Sequence, residues 1–136
     1  MEETNNATYS VAETKDLARA VVSVLLEKKA LNVTMNFVGE DSSVTDYYIN
    51  ATGRSSTQVA SLADEVVYKM SLSGREALRV EGRSGNSWIL VDYGDVIVNV
   101  FDKASREFYN FDRLLPQTSA IDISDIIAEV DKKFEI

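Results

Sequence analysis

The sequence predicts an α/β fold: a mixed sheet of about five strands flanked by helices, with one more helix at the C-terminus. Three observations carry this. A β-type run at 46–52 passes through Gly53 into a capping box and a helical apolar stripe, the strand–turn–helix order of an α/β unit. Two further β-type runs meet at Gly94-Asp95 and read as a hairpin. Near the end, Ile123, Ile126, Ile127, Val130 and Phe134 recur at helical spacing. A helical crossover permits parallel pairing and a hairpin forces antiparallel pairing, so the sheet is mixed.

The elements follow in order. Ser10-Val11-Ala12-Glu13 has the form of a capping box, and Leu17, Ala18, Val21, Val24 and Leu25 behind it predict a helix over about 11–29. Leu31 to Val38 is rich in β-branched and aromatic residues and reads as a strand; Gly39 to Ser43 is a loop. Asp46 to Thr52 alternates, with Tyr47, Ile49 and Ala51 on one face and Tyr48, Asn50 and Thr52 on the other. Ser55-Ser56-Thr57-Gln58 caps a helix whose stripe is Val59, Leu62, Ala63, Val66, Val67 and Met70, ending near Gly74.

Leu78 to Glu81 is a short strand, Gly82 to Gly85 a turn-rich loop, and Trp88 to Tyr93 and Val96 to Phe101 the hairpin strands. Residues 103–115 read as a helix with Phe108, Phe111, Leu114 and Leu115 making apolar contacts, closed by Pro116. The chain divides into a domain at 1–116 and an amphipathic helical tail at 117–136, helical from near Asp122 and expected to pack on the domain.

Composition removes several kinds of chemistry. There is no Cys and no His among the 136 residues, so thiolate nucleophiles, Cys-type zinc sites and Ser-His or Cys-His arrangements are absent. With 14 basic and 22 acidic residues the net charge is -8, a field that repels phosphate backbones and favours a basic protein surface. The first residues, Met1-Glu2-Glu3-Thr4-Asn5-Asn6, match neither a secretory signal nor an Arg-rich transit peptide, and apolar runs are too short to span a bilayer. A cytoplasmic protein that needs no cofactor is the expectation.

Several side chains stand out for binding. Trp88, the only Trp, opens a strand after a Gly/Ser/Asn loop, as an interface anchor or a partly buried core residue. Asp92 and Asp95 flank Tyr93-Gly94. They suit a basic partner, or they serve the turn's own hydrogen bonds; an Mg²⁺-binding carboxylate pair is the third reading. Asp46 starts a strand, and Glu81 and Arg83 bracket Gly82 in the loop leading to Trp88.

Three blocks in order carry a resemblance. They are Ser42-Ser43-Val44-Thr45-Asp46-Tyr47-Tyr48-Ile49-Asn50-Ala51-Thr52-Gly53, then Ser55-Ser56-Thr57-Gln58-Val59-Ala60-Ser61-Leu62-Ala63-Asp64-Glu65-Val66, and then Val80-Glu81-Gly82 with Trp88 to Phe101. With Arg106-Glu107-Phe108-Tyr109 and Leu114-Leu115 behind them, the stretch resembles the Iojap/RsfS family of ribosomal silencing factors. Asn99 stands where that family usually has His, and the tail from Gln117 lies outside the resemblance.

The resemblance implies a nucleotidyltransferase-like fold without enzymatic activity. It also implies a translation repressor that binds the large ribosomal subunit through its fourteenth protein and sterically blocks joining of the small subunit, homodimeric off the ribosome. The expected partner-binding residues are Trp88, Asp92, Tyr93, Asp95, Asp46, Glu81 and Arg83. A role in large-subunit assembly and a degenerate nucleotidyltransferase using Asp92 and Asp95 are the alternatives.

Overall fold

Two strands with almost no exposed residue lie at the centre of the molecule. In the computed structural model these are β2 (Tyr47–Gly53) and β5 (Val96–Asp102), which pair in parallel. The model describes residues 9–39 and 42–134, so the polar start at Met1 to Asn6 and the Glu40-Asp41 part of the expected loop lie outside the described residues. Around the central pair, β1 (Leu31–Phe37) joins β2, β4 (Trp88–Asp92) joins β5, and β3 (Arg79–Glu81) joins β4, all antiparallel. The order is β1-β2-β5-β4-β3, the five-stranded mixed sheet that the sequence predicts.

Alternation sends each strand's residues to two different environments. Met35, Ile49, Ala51, Ile89, Val91, Val96, Val98 and Val100 face the layer formed by α1 (Thr14–Glu27) and α2 (Ser56–Leu72), and all are buried. Leu17, Val21, Leu25, Val59, Leu62 and Val66 of those helices meet them, also fully buried. On the opposite face lie Tyr48, Asn50, Thr52, Trp88, Leu90, Asp92, Ile97, Asn99 and Phe101. That face is covered in part by α3 (Lys103–Tyr109) and the 3₁₀ turn Phe111–Leu114.

The cap of α2 forms as expected, with one change of partner. Ser55 Oγ accepts from the Gln58 N–H at 3.1 Å, while Gln58 Oε1 accepts from the Arg54 N–H, one residue earlier than a capping box places it. At its far end Gly74 takes φ +96°, and the N–H groups of Gly74 and Arg75 donate to the carbonyls of Ser71 and Met70, a Schellman closure.

Three expectations are corrected. The capping box at Ser10–Glu13 does not form: α1 begins at Thr14, behind an extended Glu13 with no side-chain cap bond. Tertiary contacts take the entry segment instead, since Val11 is buried and the Thr14 hydroxyl donates to Asp95 Oδ2 at 2.7 Å. The helix expected over 103–115 breaks at Asn110, in the left-handed region at φ 50°. The break turns Phe111 and Asp112 onto the sheet and leaves Phe108 (81%) and Leu114 (74%) exposed rather than buried.

In the tail, α4 (Ser124–Lys133) buries Ile126 and Val130, with Ile123 just before it, whereas Ile127 and Phe134 are exposed. Each buried aliphatic side chain contributes roughly 1.5–3 kcal/mol, so the tail is held to α1. Ahead of it, the Ile121 N–H donates to the Met35 carbonyl at 2.8 Å and Asn36 bridges to Ala120, covering the β1 edge.

Gly82 makes the approach to β4 possible. It sits at φ +95°, and a Cβ there would lie 2.0 Å from the Trp88 carbonyl oxygen. Gly82→Ala is therefore expected to lose about 2 kcal/mol or more in urea unfolding. A change within about 0.5 kcal/mol of wild type would show that the loop does not constrain the strand.

Candidate partner-binding site

The alternation of β4 decides which expected site residues come together. Trp88, Leu90 and Asp92 point to the partly open face; Ile89, Val91 and the following Tyr93 point to the helices. Glu81 pairs with Leu90, and Arg79 with Asp92, on that open face. Trp88, Asp92 and Glu81 thus share one surface.

The other four of the seven expected partner-binding residues lie elsewhere, so the seven do not form one surface. Tyr93 is 4% exposed and its phenol, among the described residues, has no hydrogen-bond partner. Burial pushes that phenol well above its ordinary pKa, outweighing the opposing charge of Arg75. Tyr93 presents nothing to a partner. Asp95 turns away from Asp92: its Oδ2 accepts from Thr14 and its Oδ1 from Arg75 at 2.6 Å. Burial alone would raise the Asp95 carboxyl, but the Thr14 hydroxyl and the Arg75 guanidinium hold it below the usual carboxylate range.

Asp46 is near Asp95 along the backbone, its N–H donating to the Asp95 carbonyl at 3.2 Å. Arg83 donates to Asp64 of α2. Asp92 is engaged as well: Oδ1 accepts from the Gly94 N–H at 2.7 Å and Oδ2 from Arg79 at 3.0 Å. The turn-chemistry reading of the two aspartates therefore prevails. They address different neighbours, so the paired-carboxylate geometry required by the nucleotidyltransferase alternative is not formed.

Trp88 itself is half-buried within an aromatic cluster. Its ring lies 5.0 Å from Phe101, 4.9 Å from Tyr109 and 6.3 Å from Phe111, with Tyr48 edge-on to Phe111 at 5.1 Å. Beyond Tyr109, itself 53% exposed, Phe108 lies edge-on at 5.0 Å. The surroundings of the indole are thus aromatic rather than acidic, and the carboxylates near it are paired with arginines. This corrects the expectation that Asp92 and Asp95 stand free for a basic partner.

Sequence reading missed the polar thread below the cluster. The Trp88 Nε1–H donates to Asn99 Oδ1 (2.9 Å), Asn99 Nδ2 donates to Asn50 Oδ1 (3.0 Å), and Asn50 Nδ2 donates to Asp112 Oδ1 (3.2 Å). Arg106 closes the thread with two bonds to Asp112, both 3.0 Å, and reaches the Asn32 carbonyl and the Thr52 hydroxyl. Burial acts to raise the Asp112 carboxyl, but Arg106, then Asn50, bring it below its ordinary value. Its signal was present in the sequence: two amides in apolar strands at the parity of Trp88.

Among the described residues, no group of three or more acidic side chains is placed to hold a metal ion, and no helix is long and apolar enough to cross a membrane.

The family model described as "Ribosomal silencing factor during starvation" matches residues 11–135, reaching through the tail that the sequence resemblance left out. Ribosomal silencing factor RsfS of Halalkalibacterium halodurans is 30% identical over 114 residues, covering 84% of this chain and 97% of that protein. The protein of the same name from Haemophilus influenzae is 34% identical, covering 70% and 97%. A mouse relative, "Mitochondrial assembly of ribosomal large subunit protein 1", is 25% identical, covering 80% of this chain and 50% of its own. A crystal structure from Chromobacterium violaceum superposes with a TM-score of 0.74 at 30% identity, covering 76% of this chain and 86% of that one.

The Asp95 latch has a pH signature with a definite sign. A carboxyl held below its unfolded value of about 3.9 adds stability that is complete above that value and is lost as pH falls through the folded pKa. Asp95→Asn is therefore expected to cost about 1–3 kcal/mol near neutral pH, with the gap to wild type closing below about pH 4. Urea titrations across pH check this; a gap that widens in acid contradicts the latch.

Proposed function

The chain belongs to the RsfS family of ribosomal silencing factors, and from that premise we propose that it docks on the large ribosomal subunit through the partly open face of its sheet. The partner surface is that of the subunit's fourteenth protein, and the bulk of the domain occupies space that the small subunit needs. The mechanism is steric, with no bond made or broken.

The single observation that carries this reading is the apolar surface around Trp88. Phe108 is 81% exposed, Leu114 74% and Tyr109 53%, all on the segment that covers this face. Large apolar side chains standing clear of a soluble domain mark an interaction site, and an aromatic anchor in a partly closed setting is the usual centre of one. On the opposite face α1 and α2 turn their apolar stripes to the core, and Tyr68 and Leu72 of α2 are exposed there without an aromatic cluster of this kind around them.

Charge acts at longer range. The carboxylates beside the indole are paired with Arg79 and Arg106, so the contact itself is carried by aromatic and aliphatic packing. The net charge of -8 steers the chain toward a basic partner before contact. Added salt accordingly slows association more than it hastens dissociation.

A second reading, in which the same face holds the chain on a maturing large subunit, is favoured by the name of the mouse relative. Gradient profiles of subunits from cells with and without the protein separate the two. Accumulated immature particles favour assembly, whereas unchanged particles with more joined ribosomes in starvation favour silencing.

Co-sedimentation with purified large subunits tests the docking face. Trp88→Ala, Phe108→Ala and Leu114→Ala are each expected to weaken binding by about 2 kcal/mol, roughly thirtyfold. Tyr68→Ala, exposed on α2, is expected to leave it within about 0.5 kcal/mol. Wild-type binding by all three folded variants overturns the assignment of the face.

A further inference from the structure

Asn50 and Asn99 are 0% and 1% exposed, opposite one another in the two central strands. Buried amides stabilise a fold only when fully bonded, and an apolar pair of similar shape would serve stability as well or better. These two are joined into a path with one direction. An indole N–H can only donate and an ionised carboxylate can only accept, so Trp88 at one end and Asp112 at the other orient both amides between them.

We infer that this amide ladder is a positioning device for the docking face, with Asn99 and Asn50 its positioning residues. The inference rests on the docking reading above. The ladder begins at the half-buried indole and ends on the segment that carries Phe108, Tyr109 and Leu114. It fixes the tilt of the indole against Phe101 and, through the two Arg106 bonds to Asp112, the height of that segment beside it. The aromatic surface is thereby presented already formed. A partner then does not have to order it, and the ordering of interface side chains is one of the costs of binding.

The chemistry of position 99 gives the test. Asn99→Leu fills similar space but neither accepts from the indole nor donates to Asn50. Asn99→His restores both, because a neutral imidazole has one acceptor and one donor nitrogen. The rescue requires the neutral ring, which burial at this position favours.

As Trp88 is the only Trp, its indole proton gives one resolved peak in a proton–nitrogen NMR spectrum, and its exchange with solvent reports the ladder directly. Asn99→Leu is expected to speed that exchange and weaken large-subunit binding about tenfold or more. Asn99→His is expected to recover both at about pH 7.5, where the buried ring is neutral. Should Asn99→Leu fail to fold, Asp112→Ala at the more exposed end is expected to produce the same two changes, three links away from the indole.

A folded Asn99→Leu or Asp112→Ala with wild-type indole exchange and wild-type affinity overturns the inference. So does a folded Asn99→His variant that binds large subunits no better than Asn99→Leu. If the wild type itself does not bind large subunits, the docking reading falls. The indole arm then decides alone: faster exchange in the variants upholds the ladder as what orients Trp88, and unchanged exchange overturns it.

Discussion

The parallel pairing of β2 with β5 is the constraint on which the rest of the structure depends. Parallel neighbours cannot be joined by a tight turn, so α2 carries the chain from β2 across to β3 at the sheet's edge, and β3 and β4 return it by antiparallel steps to β5. Strands so placed are covered on both faces, which is why nearly every residue of the two is buried. Their register sets Asn50 against Asn99 and Thr52 against Phe101. A slip of one residue would exchange the two faces of the sheet, sending the amides into the apolar layer against α1 and α2.

The two faces divide the work. On the helix side, aliphatic side chains from β1, β2, β4 and β5 meet the stripes of α1 and α2. There Asp95 ties the β4–β5 turn to the start of α1 and, through Arg75, to the end of α2. On the other side, a short helix and a 3₁₀ turn cover only part of the sheet, and polar bonds and aromatic edges replace aliphatic packing. Aliphatic burial is concentrated on the first side, and the proposed recognition surface lies on the second.

Much of this was legible in the sequence, for physical reasons that differ by element. The apolar stripe of α2, its Ser55 cap and its Gly74 closure depend on local bonds and hold as read. The parity of β4 already put Trp88 and Asp92 on one face. What failed was decided by contacts distant along the chain. The Ser10–Glu13 box yielded to the burial of Val11 and the Thr14–Asp95 bond. The helix over 103–115 yielded to the pull of Arg106 and Asn50 on Asp112, with Asn110 supplying the left-handed residue that the turn requires. Asp92 and Asp95 looked like a pair because they are three residues apart, but the turn at Gly94, at φ +90°, sends them to opposite neighbours.

The central claim is that the partly open face of the sheet, centred on Trp88 and the segment beside it, is the surface that meets the large ribosomal subunit. Backbone hydrogen exchange by mass spectrometry, compared with and without saturating large subunits, tests it most directly. The account predicts slowed exchange in peptides spanning 84–92 and 103–115, and little change over α1 and α2. Protection confined to the helices, with those two segments unaltered, would contradict it.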